Sequence, residues 1–155
     1  MFEQNNNINK IMVTLEDFIK AMTSYTALYN EQTWSGHLKR EYTKDALISL
    51  YGVYKEGFER GFFQEDSDAD DVAVYMVDAW AFVKKGKLTE MCKDGIISVD
   101  EDISVNDIKN ELFENNALYS CKGGYILNLE IFEEYFPQYD SYTGESLVTQ
   151  CDYLH

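Results

Sequence analysis

Apolar residues recur at spacings of three and four through the first sixty positions, then give way to shorter, mixed patterns. Leu15, Phe18, Ile19, Met22, Tyr25 and Tyr29 share one face of a 3.6-residue repeat, which predicts an amphipathic helix ending near Asn30. Thr14 is placed to cap it, with Asp17 three residues on as a relative of the capping box. The Asn-rich stretch 1–12 before it reads as a flexible lead-in, and Gln32 to His37, which includes Trp34, reads as a loop. Lys39, Arg40 and Lys44 make the next region locally basic. Thr43 then caps a second helix, with Leu47, Leu50, Tyr51, Tyr54 and Phe58 inward and Gly61 as its stop. Gly52 and Gly57 each weaken that helix by about 1 kcal/mol relative to Ala.

The acidic run Glu65 to Asp71 suits a helix N-terminus, where carboxylates meet unpaired amides and the positive end of the helix dipole. The helix it opens is expected to turn Val72, Tyr75, Met76, Ala79 and Val83 inward. Lys84, Lys85 and Lys87 would lie in its last turn and Gly86 would stop it, while Trp80 and Phe82 fall off its stripe. Asp94-Gly95 reads as a turn, and Ile96, Ile97 and Val99 as a short β-like piece. Ser104 with Asp107 caps a helix to about Asn115 that carries Val105, Ile108 and Leu112. Leu118–Cys121 and Tyr125–Leu127 flank Lys122-Gly123-Gly124, a hairpin signal. Asn128 caps a last helix, Leu129 to Phe136, which Pro137 terminates. The fold class is therefore α+β: a helical half, 13–93, packed on a smaller acidic α+β half, 94–155, that contains the hairpin. The helix–hairpin–helix order, preceded by a short strand, has the makings of a winged helix-turn-helix.

At 155 residues the chain is long enough for one domain, or two lobes sharing a core, without staples. Twelve Tyr, nine Phe and two Trp exceed the needs of one core, which predicts surface aromatics available to a partner. Cys92, Cys121 and Cys151 are too few and too scattered for a disulfide framework and suit a reducing compartment. No secretory leader and no apolar run near the roughly 20 residues of a membrane helix is visible, so the expected location is the cytosol of the host cell, away from membranes.

Charge changes the picture most. Residues 1–62 hold seven Lys+Arg and eight Asp+Glu, whereas residues 63–155 hold six and twenty. Residues 94–155 carry thirteen acids against Lys109 and Lys122 alone, the reverse of what phosphate neutralisation requires, so direct nucleic-acid binding is not expected of this half. The acids of 66–70 and of 100–111 lack the turn glycine of a calcium loop. Cys92, Cys121, Cys151 and His155 lack paired zinc spacing, and His37 has no visible nucleophile beside it. The reading is a non-enzymatic protein with no metal and no cofactor.

What remains is the acids themselves. Asp100, Glu101, Asp102, Asp107, Glu111, Glu114, Glu130, Glu133 and Glu134, with Tyr135, Tyr139 and Tyr142 among them, are the expected partner-binding residues. Held on a folded scaffold, carboxylates stand where phosphates would sit in a basic groove, and tyrosines cover its apolar floor. In size, acidity and lack of catalytic motifs the chain resembles the small inhibitors that phages and mobile elements carry against host defence, the anti-CRISPR and antirestriction proteins. That resemblance implies a basic, nucleic-acid-handling partner, a CRISPR effector nuclease among the candidates, and it assigns no role to any single residue. Two other readings stand beside it: an acidic surface that serves only solubility, and an adaptor that binds a partner or a second copy through Tyr25, Trp34 and Trp80 of the helical half.

Overall fold

Short polar residues open the helices. The structure, a computed structural model, describes residues 12–32, 39–64, 66–99 and 102–136, with the backbone alone at 97–99. The expected lead-in and the Trp34–His37 loop lie almost wholly outside the described residues. Thr14 Oγ1 accepts from the Asp17 amide at 3.1 Å and starts α1, Leu15–Gln32. This helix buries Phe18, Ala21 and Met22, but Leu15, expected on the stripe, is mostly turned to solvent. Thr43 caps α2, Lys44–Glu59, through the Ala46 amide, and Ala46, Leu47, Leu50 and Tyr54 face the core. Tyr54 Oη accepts from the Val13 amide and Tyr51 Oη donates to the Val13 carbonyl, at 2.8 and 2.7 Å, so both hydroxyls lock the entry to α1 onto α2.

Asp68 and Asp71 form a reciprocal capping box that opens α3, Ala69–Ala79, as the acidic run predicts. The expected helix to Lys87 does not form. The backbone at Trp80 becomes extended, and Trp80–Lys84 is a strand, β1. Arg40 explains where the helix stops. This residue, read as part of a locally basic stretch, is 1 % exposed. Its Nε and Nη2 donate to the carbonyls of Val77 and Asp78 at 2.7 and 3.1 Å, its guanidinium lies 4.5 Å from the Tyr29 ring centre, and the Asn30 side chain holds its backbone. A cation on carbonyls of the last turn satisfies groups that helix ends leave orphaned. Trp80 and Phe82 miss the helical stripe because they alternate on a strand with Ala81 and Val83.

Lys85–Val99 is one helix, α4, so Asp94-Gly95 is not a turn and Ile96–Val99 is not a strand. Gly95 answers to packing instead: a Cβ there would lie 2.5 Å from the Phe136 ring. Lys84 ends β1, and Lys85 and Lys87 begin this helix rather than end the previous one. Ser104 and Asp107 form the capping box of α5, Val105–Glu114, which buries Ile108 and Leu112. Strands β2, Leu118–Cys121, and β3, Gly124–Asn128, form the expected hairpin, with Gly123 at φ 91° in its turn. Asn128 caps α6, Leu129–Tyr135, through the Ile131 amide.

The sheet is antiparallel in the order β1-β3-β2, and every residue of the central strand is buried. Trp80 and Ile126, with the half-buried Phe82, Tyr119 and Cys121, join α1, α2 and α3 in one core. Ala81, Val83, Leu118, Tyr125 and Leu127 join α4, α5 and α6 in the other. A division at 93/94 therefore falls inside α4, and β1 from the helical part pairs with β3 from the acidic part. From α3 onward the order is helix, strand, helix, helix, strand, strand, with β3 between β1 and β2, and the third strand of the sheet is β1, not the piece expected at 96–99.

Arg40→Met keeps an apolar stem and strips donors from two carbonyls, so it should lower the unfolding free energy by about 2–4 kcal/mol; an unchanged urea midpoint would overturn the capping role. Gly124→Ala would place its Cβ 2.2 Å from the Val83 carbonyl oxygen. A loss of about 1–3 kcal/mol is expected there, against a neutral or small stabilising effect of Gly52→Ala, where nothing lies within 4 Å.

Candidate interaction surface

The outward side of α5 is acidic. Asp107, Glu111 and Glu114 are exposed and follow at spacings of four and three, along one stripe. Ile108 and Leu112 hold the opposite side in the core. Lys109, the sole base on this helix, is half-buried with its ammonium 5.1 Å from the Tyr125 ring centre, off the acidic stripe and not three or four residues from any of its carboxylates. Phe113, 38 % exposed and edge-on to Tyr125, adds an apolar point beside the acids.

Asn115 Nδ2 donates to Tyr135 Oη, which brings the C-terminal end of α5 against α6. Asn115, Ile131, Glu134 and Tyr135 line an open depression at this junction. Glu111 and Glu114 stand at the C-terminal end of α5, and Glu133 and Glu134 at that of α6, with no base in the last turn of either helix. Both helix ends already carry the negative pole of the macrodipole, so these carboxylates work against local stability. Like charges three residues apart add to the strain.

The predicted residues divide accordingly. Glu134 and the half-buried Tyr135 line the α5–α6 junction, Glu114 adjoins Asn115 there, Glu111 stands one turn back on α5, and the half-buried Glu133 is not part of the lining. Asp102 is exposed ahead of α5. Asp107 is partly spent on its helix, since its carboxylate accepts from the Ser104 amide. Glu130 is exposed but faces Tyr75 of α3, whose hydroxyl is shifted upward first by burial and then by this carboxylate. Asp100, Glu101, Tyr139 and Tyr142 lie outside the described residues.

A second feature is a cavity of about 370 Å³ where α2 and α3 meet the sheet, lined by Phe62, Phe63, Tyr75, Trp80 and Tyr119 with Arg60 among its polar groups. Phe62 is 62 % exposed, whereas Trp80, expected as an anchor, is buried and Tyr25 is half-buried. The pair Phe62-Phe63 directly after the helix-stopping Gly61 is the signal in the chain that points here. The two described thiols do not come together: Cys92 and Cys121 pack on opposite faces of the sheet, and burial pushes Cys92 up to about 11 despite nearby Lys109. Among the described residues no group of three or more His, Cys, Asp or Glu converges to hold a metal ion. No described helix is long and apolar enough to cross a membrane.

Glu114→Lys and Glu134→Lys replace unfavourable charge with favourable charge at a helix C-terminus, so each should raise stability by a few tenths to about 1 kcal/mol. Thermal melts at low salt measure this; a drop in stability would show these carboxylates to be structural. Comparison of the chain with models of protein families, with curated proteins and with solved structures found no match.

Proposed function

We propose that this protein is a non-enzymatic inhibitor, acting in the cytosol, that lays the acidic side of α5 into a basic groove evolved for nucleic acid. The observation that carries the reading is the meeting of the α5 and α6 C-termini through Asn115 and Tyr135, with Glu114 next to the one and Glu134 next to the other. Neither last turn holds a base to neutralise this charge, which leaves it available to a cationic groove. Successive carboxylates of the α5 stripe stand about 6 and 4.5 Å apart along the helix axis, within twofold of the ~3.4 Å axial rise per phosphate of one DNA strand. Partners of this chemistry are basic nucleic-acid-handling proteins, a CRISPR effector nuclease among them.

The test is displacement. Labelled nucleic acid bound to each of a panel of purified nucleic-acid enzymes, including a CRISPR effector nuclease, is followed by fluorescence anisotropy as the protein is added. At 50 mM salt the wild type should release the label from at least one member, and release should weaken as salt rises, because exposed charges are screened beyond about 8 Å at physiological ionic strength. The triple variant Glu111→Lys, Glu114→Lys, Glu134→Lys should lose at least about tenfold in potency, or 1.4 kcal/mol, while melting no lower than wild type. No release from any member at low salt, or full potency in the triple variant, sinks the proposal. The exposed Phe62 at the aromatic cavity favours a second reading, an adaptor contact through that cavity; loss of partner capture on Phe62→Ser with the acids intact would select it.

A further inference from the structure

Basic residues are scarce in this chain, yet several crowd one end of the sheet. Lys84 ends β1, and Lys85 and Lys87 begin α4. Lys84 pairs in register with Gly124, so the β2–β3 turn with Lys122 lies beside them. Lys84, Lys85 and Lys122 are exposed and Lys87 is half-buried.

Next to this array is a groove of about 350 Å³ whose lining includes Lys84, Lys87, Lys39, Tyr42 and Phe82, with Glu41 as its acid. The Lys39 ammonium is engaged by the Asn30 carbonyl at 2.7 Å. Phe82 is half-buried, and a Cβ on Gly123 would lie 3.7 Å from its ring, so the turn packs against the aromatic floor. Glu111, Glu114 and Glu134 do not line the groove.

We infer that this groove and the adjoining turn hold the phosphate backbone of single-stranded nucleic acid. Lysines on three separate elements, β1, α4 and the β2–β3 turn, crowd one end of the sheet; a strand with repeated phosphates offers each an anion, while a base lies against Phe82. The overall negative charge, from which no direct nucleic-acid binding is expected, does not decide the matter locally: at physiological ionic strength charges beyond about 8 Å are largely screened. The inference stands apart from the reading of the acidic face.

Fluorescein-labelled 20-nucleotide single-stranded DNA and its duplex, titrated at 50 mM salt and followed by anisotropy, test it. The wild type should bind the single strand with a dissociation constant on the order of 10⁻⁴–10⁻⁶ M and more tightly than the duplex. Lys84→Glu with Lys87→Glu should weaken binding at least tenfold, and Lys122→Gln should lower the salt slope by about 0.7. Lys20→Glu on α1 and the triple α5–α6 variant should leave single-strand binding intact or improved. The inference is overturned by absent binding, by a preference for duplex, by an equal loss in Lys20→Glu, or by inorganic pyrophosphate shifting the NMR amide signals of Lys84 and Lys87 while the oligonucleotide does not.

Discussion

A strand buried on both faces holds this molecule together. Residues Gly124–Asn128 sit between β1 and β2, and successive side chains point into different cores, Ile126 toward the three N-terminal helices and Tyr125 and Leu127 toward the three C-terminal ones. Each such side chain stabilises the fold by about 1.5–3 kcal/mol relative to exposure. A shift of one residue in the register would exchange the two sets. Gly124 admits the close approach of Val83 at the edge of this pairing, and the sheet therefore welds the acidic part to the helical part. The surface of α5 is presented on a scaffold supported from behind by both cores.

Much of this was legible because it is local. Thr14, Thr43, Asp68, Ser104 and Asn128 all act as helix starters, and the glycine turn between β2 and β3 forms as its residues require. What was illegible is set at long range. Val83 keeps phase with the α3 stripe, and the local sign of a change is that Trp80 and Phe82 leave it; the switch depends on β3, more than forty residues on, and on Arg40, thirty-seven residues back from its acceptor Val77. Gly95 has the signature of a turn but is a contact with Phe136. The candidate site divides the same way. The α5 acids follow from periodicity, whereas their meeting with Glu134 rests on Asn115 and Tyr135, twenty residues apart. Asp107 and Glu130 match the acidic pattern equally well, yet one is drawn into a cap and the other toward Tyr75.

Acids stand at both ends of these helices. Asp17, Asp45, Asp71 and Asp107 occupy first turns, where they meet free amides and the positive pole. Glu111, Glu114 and Glu134 sit at the opposite ends of their helices, and Lys85 and Lys87 sit in the first turn of α4, which contains no acid. Acids also stand in the last turns of α1 (Glu31), α2 (Glu56 and Glu59) and α3 (Asp78), again with no base there, so the α5 and α6 ends belong to a pattern that runs through the described helices.

The outward face of α5 and one end of the sheet carry opposite signs. The α5 stripe presents carboxylates, while Lys122 in the β2–β3 turn and Lys84 beside it keep positive charge. A surface that reads DNA needs basic groups wherever it meets phosphates. A uniform duplex would attract one of these surfaces and repel the other, so the two are complementary to opposite charges.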